Sequence, residues 1–170
     1  MNYADIKYCD VANGEGVRVS LFVSGCTHHC KECFNKEAWD FHYGNPFTQK
    51  EIDRILEYLK PNYIAGLSLL GGEPMEPVNQ EGILPLLRVV KQTYPEKNIW
   101  CYTGYLFDKD VLDKMCKESE VTKEIVSYLD IVVDGEFMID RKNLKINFRG
   151  SDNQRIIDVK KTLDAGEIVH

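Results

Sequence analysis

The sequence has no apolar stretch able to cross a bilayer. Its longest such run, Ile83 to Val90, is broken by Pro85 and Arg88 and falls far short of the roughly 20 residues a spanning helix needs. The opening segment, Met1 to Asp10, is polar; with no hydrophobic run there, a secretion signal is not expected. Positive charge is also in deficit. Against 27 Asp and Glu stand 21 Lys and Arg, a formal net charge of -6. The basic residues are scattered, which argues against a generic nucleic-acid binder and against an anionic membrane surface. There are no internal repeats, no low-complexity tract and no Pro/Gly/Ser-rich linker. The 170 residues therefore read as one domain, 1–170, of a cytoplasmic protein.

In a reducing compartment the 6 cysteines are not expected to form disulfides. Their placement is uneven. Cys9, Cys101 and Cys116 are dispersed, whereas Cys26, Cys30 and Cys33 fall in the stretch Ser24-Gly25-Cys26-Thr27-His28-His29-Cys30-Lys31-Glu32-Cys33-Phe34. A Cys-x3-Cys-x2-Cys triplet points to a metal or cluster. Three thiolates hold three irons of a [4Fe–4S] cubane and leave the fourth open to a chelating substrate; four would fill every iron. The competing reading is structural zinc, which wants four ligands, with His28, His29 or Cys9 completing the set. No second Cys/His pair follows, and both histidines read as exposed loop residues rather than ligands.

Strands and helices alternate along the chain. Val17 to Val23 reads as a strand, so the cysteine triplet sits in the loop at its carboxyl end. Thr48 to Glu51 is a capping box opening a helix with Ile52, Ile55, Leu56 and Leu59 on one face, stopped by Pro61. Ile64 to Leu70 is a buried strand ending at Gly71-Gly72; Ile83 to Tyr94 is a helix; Asn98 to Tyr102 is a third strand. Val111, Leu112 and Met115 mark a helix after Asp108. Tyr128 to Val133 holds a fourth strand and Lys145 to Phe148 a fifth. Ile156 to Leu163 is a terminal helix or irregular segment, and Tyr3 to Tyr8 an edge strand. This pattern predicts an α/β fold: an open, mainly parallel, curved sheet with flanking helices, a partial β/α barrel. The chain is too short for a closed eight-fold barrel, which takes about 250 residues. Ligands of such sheets sit beyond the carboxyl ends of the strands.

Leu69-Leu70-Gly71-Gly72-Glu73-Pro74 ends one of those strands. Two glycines remove Cβ atoms where a ligand would approach the backbone, and the Glu73 carboxylate is an acceptor for an ammonium group. On its own the pair is equally a tight turn. Together, the cysteine triplet and Gly-Gly-Glu-Pro resemble the radical S-adenosylmethionine superfamily. The resemblance implies a [4Fe–4S] cluster on Cys26, Cys30 and Cys33, with the methionine amino group at Gly71, Gly72 and Glu73. It also places Glu32 and Phe34, which flank Cys33, beside the adenine. Thr103 is then a candidate for the methionine carboxylate or the ribose, and Asp134 for the ribose hydroxyls; both are equally strand-ending turn residues.

Further stretches narrow the resemblance. Asn13 to Arg18, Trp100 to Tyr105, Val133 to Phe137 and Arg149-Gly150-Ser151-Asp152-Asn153-Gln154-Arg155 are similar to the activating proteins of anaerobic ribonucleoside-triphosphate reductases. That resemblance implies an activase that cleaves S-adenosylmethionine and places a glycyl radical on the large reductase subunit. The expected electron donor is a flavodoxin or ferredoxin. No other catalytic side chain is required, since the cofactor carries the hard chemistry. The alternatives are an activase of the pyruvate formate-lyase type, a small-molecule radical enzyme, and a zinc-stabilised binding module.

Overall fold

A computed structural model describes all residues, 1–170. Seven strands form one sheet: β1 (Asn2–Asp10), β2 (Val17–Val23), β3 (Asn45–Pro46), β4 (Ile64–Gly71), β5 (Asn98–Tyr102), β6 (Ile131–Asp134) and β7 (Arg155–Asp158). Their order is β3-β1-β2-β4-β5-β6-β7. The central pairs β2–β4, β4–β5 and β5–β6 are parallel; β1 on one side and β7 on the other run antiparallel. The sheet is therefore open and mixed, with a parallel centre. Across it, the register aligns Leu21, Leu69, Cys101, Val132 and Ile157. All five belong to one buried core, the cross-strand layer that alternation on a pleated strand produces.

That core is completed by helices. Helix α1 (Gln49–Leu59) buries Ile52, Ile55 and Leu59. Its capping box forms as expected, with Glu51 accepting from the Thr48 N–H at 2.7 Å. Helix α2 begins at Pro77, ahead of the expected Ile83, and runs to Thr93. Pro85 removes one helical donor, but it lies on the exposed side while Ile83, Leu84, Leu86 and Leu87 are buried. Packing against the sheet outweighs the missing bond. A π-helical segment, Phe107–Met115, continues into the short α3 (Cys116–Glu118). Helix α4 (Glu120–Tyr128), capped by Ser119, had no reading from sequence. It displaces the expected start of the fourth strand from Tyr128 to Ile131.

The end of the chain departs most from expectation. Lys145 to Phe148 is not a strand. The last strand is Arg155–Asp158, inside the segment expected to be helical, and helix α5 (Val159–Ala165) follows, capped by Asp158. Between β6 and β7 the chain makes a long excursion, residues 135–154, and returns at the same end of the sheet. With no crossover, β7 must pair antiparallel.

Candidate functional site

The carboxyl ends of β2, β4, β5 and β6 open on one cavity of about 450 Å³. Cys26, Cys30 and Cys33 line it, as do Phe34, Gly71, Gly72, Glu73 and Thr103. Two segments distant in sequence are thus brought together as expected, and backbone bonds join them. The Gly72 N–H donates to Val23 O at 2.7 Å and the Glu73 N–H to Gly25 O at 2.8 Å. Asn79 Nδ2 donates to both Gly25 O (3.3 Å) and Glu73 O (2.9 Å). On its other side the cysteine loop is tied to a 3₁₀ turn, Lys36–Trp39, by Gly25 N–H to Ala38 O (2.7 Å) and Cys26 N–H to Trp39 O (3.2 Å).

The glycines line the cavity and also do a job that the sequence did not show. A Cβ on Gly72 would stand 2.5 Å from Gly25 O and 2.8 Å from Ala38 O. One on Gly71, at φ +108°, would stand 2.6 Å from Val23 N. Gly71 is closed to larger residues by the end of β2, and Gly72 by the cysteine loop and the 3₁₀ turn, through contacts no local motif displays.

Glu73 is buried at 1% exposure, and protein donors occupy its carboxylate. Oε1 accepts from Met75 N–H and Thr103 Oγ1, both at 2.8 Å. Oε2 accepts from Gly104 N–H at 2.7 Å and faces His28 Nε2 at 2.9 Å. The other ring nitrogen of His28 lies 2.9 Å from Glu136 Oε1. His28 is therefore not an exposed loop residue: it spans from the cysteine loop to Glu73 and to the start of the 135–154 excursion. Burial would lower its pKa, but the two carboxylates outweigh burial and raise it to about 9. His29 is exposed, as expected, and stacks on Trp39 at 4.4 Å.

The donor set fits an iron–sulfur cluster. Three thiols share the wall of one cavity without converging on a single point as the ligands of one ion do. Cys9, Cys101 and Cys116 do not line that cavity, and both nitrogens of His28 are engaged. Burial pushes the Cys26 thiol up to about 11 and raises Cys30 as well, so metal binding must displace protons here.

The profile of a 4Fe-4S single cluster domain matches residues 12–157. A protein of Pasteurella multocida is 40% identical over 158 residues, covering 92% of this chain and 96% of its own length. One of enterobacteria phage T4 is 43% identical over 92% of this chain and 93% of its own. One of Escherichia coli K12 is 38% identical over 91% and 96%. Each is named anaerobic ribonucleoside-triphosphate reductase-activating protein. This chain belongs to that family of iron–sulfur activating proteins.

Within this family member, Thr103 and Asp134 are both engaged by other protein groups. The Thr103 hydroxyl donates to Glu73 and accepts from Tyr105 N–H at 3.1 Å, so its proton is unavailable to a carboxylate or ribose. Asp134 is fully buried and does not line the cavity. Its carboxylate accepts from Arg155 Nε (2.9 Å) and Nη2 (2.5 Å) and from Phe107 N–H (2.7 Å). Glu32 is exposed, at φ +57°, and outside the cavity lining. Phe34 stands at the mouth, 70% exposed, its ring 4.9 Å from Phe137.

Other residues gain a place that sequence did not give them. Arg18 is neither a surface nor an ion-pair residue. It is wholly buried and donates to Ser68 Oγ (2.7 Å), Leu67 O and Glu15 O (both 3.0 Å). Burial lowers its pKa to about 10. Phe148, Arg149, Gly150 and Gln154 line the cavity. The resemblance of Arg149 to Arg155 marks that segment without giving its residues a role, and the sequence places Phe148 at the end of a strand.

Proposed function

We propose that this chain, acting as a single radical S-adenosylmethionine domain over 1–170, activates an anaerobic ribonucleoside-triphosphate reductase. The observation that carries the reading is the backbone union of the cysteine loop with Gly71-Gly72-Glu73 around one cavity, in a chain that belongs to the activating-protein family. Cys26, Cys30 and Cys33 would hold the [4Fe–4S] cluster. When bound, it supplies the one electron that splits S-adenosylmethionine into methionine and a 5′-deoxyadenosyl radical, which takes a hydrogen atom from a glycine of the large reductase subunit. The electron is expected from a flavodoxin or ferredoxin.

The protein's own residues build the enclosure. Gly72 lets the β4 end lie against the cysteine loop, and Gly71 lets it lie close against the end of β2. Because the Glu73 side chain is saturated by protein donors, its role is to fix that end rather than to accept directly from the methionine ammonium, which is left to the backbone there. Phe34, at the mouth, offers a face to the adenine. The sheet would curve as a partial barrel, leaving one side open to a loop of a large partner. No helix is long and apolar enough to cross a membrane.

The test is electron paramagnetic resonance of the reconstituted protein mixed with reductase, S-adenosylmethionine and reductant. A glycyl doublet on the reductase, lost in Cys30→Ala, is the expected result. Absence of the doublet with an intact cluster, or its persistence in Cys30→Ala, would overturn the reading.

A further inference from the structure

Of all the residues lining the cavity, Arg149 is the only lysine or arginine. The two carboxylates in the lining are already committed. Glu73 is saturated and Glu136 faces His28. Arg149 has no carboxylate within ion-pair distance, although ion pairs form nearby at Arg141–Asp152 and Arg155–Asp134. Its Nη1 donates to Gln154 O at 3.2 Å, and its Nε is buried with no partner at all. A buried unpaired donor on a permanently charged group is costly, and a guanidinium presents a fork suited to a carboxylate.

The segment bearing it is braced. Gln154 Oε1 accepts from the N–H groups of Gly150 (2.8 Å) and Ser151 (3.2 Å), and its Nε2 donates to Gly135 O (2.9 Å). Phe148, held at φ +60°, sets its ring edge-on against Trp100 at 5.3 Å. A left-handed conformation is unfavourable for a bulky residue. Here it turns the chain so that Phe148 and Arg149 both line the cavity.

The geometry points to Arg149 as the residue that binds the carboxylate of S-adenosylmethionine. This assignment rests on the functional reading above. The carboxylate is the only anionic group of that molecule, and Arg149 is the only unpaired cation of the cavity. Thr103, the candidate from sequence, has its hydroxyl proton on Glu73. Arg149 thus acts in binding and orientation, not in electron transfer.

The experiment compares wild type, Arg149→Met and Arg149→Lys, each reconstituted and checked for iron content and visible absorbance. Anaerobic equilibrium dialysis then measures binding of S-adenosylmethionine and of 5′-methylthioadenosine, which lacks the amino-acid end. Arg149→Met should weaken S-adenosylmethionine by about 10–100-fold, the scale of a charge-assisted pair, and leave 5′-methylthioadenosine unchanged. Arg149→Lys should recover part of the loss. Normal S-adenosylmethionine binding by Arg149→Met overturns the assignment alone, as does an equal loss for both probes. Normal binding combined with failure to activate the reductase also overturns it, moving Arg149 to the partner. A cluster-loaded wild type that bound no S-adenosylmethionine would overturn the functional reading and the assignment with it.

Discussion

At the scale of single residues, the site depends on close contacts that substitutions expose. Glu73 accepts from two backbone N–H groups, one hydroxyl and one imidazole. Glu73→Gln replaces one oxygen by a donor. Thr103 and a neutral His28 can reverse their roles, but Met75 N–H or Gly104 N–H must lose its acceptor. The cost is about 1–3 kcal/mol, the price of a buried unsatisfied donor. Urea unfolding of the metal-free protein measures it; an unchanged midpoint would show that the Glu73 network does not hold the loop. Gly72→Ala meets two carbonyl oxygens that cannot rotate away. Overpacking of this kind costs about 1–3 kcal/mol and should push the cysteine loop off β4, lowering iron uptake. Gly166→Ala is the control: Gly166 has φ +73° but nothing within 4 Å of an added Cβ. It should lose only about 1–2 kcal/mol from the left-handed backbone and load iron normally. Equal iron uptake by both variants would refute the steric account of Gly72.

Between elements, Asp130 shows how loops fix strand ends at the pole opposite the cavity. Its carboxylate accepts from Ile99 N–H of β5 (2.8 Å), Lys91 of α2 (3.0 Å) and Lys160 of α5 (2.8 Å). Burial would raise its pKa, but these donors outweigh burial and lower it. A depressed carboxylate stabilises the fold fully above its unfolded pKa, and that stability is lost as pH falls through the folded value. Asp130→Asn should therefore be less stable than wild type by about 1–2 kcal/mol near neutral pH, and the gap should close on acidification below about pH 4. Thermal melts across that range decide it; a gap that widened in acid would contradict the linkage. Elements with local signals were legible in the sequence. The capping box fixed α1, an alternating, β-branched run marked β2, and a buried apolar run stopped by Gly71-Gly72 marked β4. Helix α4 and strand β7 were not, because their signals lie in tertiary pairing. Thr122 of α4 donates to Gln80 of α2 at 2.6 Å, and β7 is a strand only because β6 offers an edge. The same distinction runs through the site. The cysteines and Glu73 carry their chemistry in residue type and spacing. The engagement of Thr103 with Glu73 and of Asp134 with Arg155 spans 30 and 21 positions, and no local pattern reports it.

For the whole molecule, the division of labour between the two sides of the sheet predicts how the protein behaves without its cluster. The apolar core, including Val19, Leu21, Leu67, Leu69, Ile99 and Val132, is buried together with residues of α1, α2 and α4. None of these core residues lines the cavity. Small metallodomains that lack such a core unfold when the metal leaves. A chain of 170 residues buries about 70% of its unfolded surface, enough to fold unaided. The cysteine loop also has bonds of its own: Gly25 and Cys26 N–H groups reach Ala38 and Trp39, and Thr27 N–H donates to Glu76 at 3.0 Å. Removal of iron by a chelator should then leave the far-ultraviolet circular dichroism unchanged and the thermal transition cooperative. Ligation of the native state alone still adds stability, so the transition should move down relative to the loaded protein. Hydrogen exchange should localise the loosening to residues 26–35 and the 135–154 excursion, which His28 joins through Glu136, while amides of β2, β4 and β5 stay protected. Loss of the cooperative transition on chelation would show instead that the cluster holds the sheet together, and would reverse the order of dependence argued here.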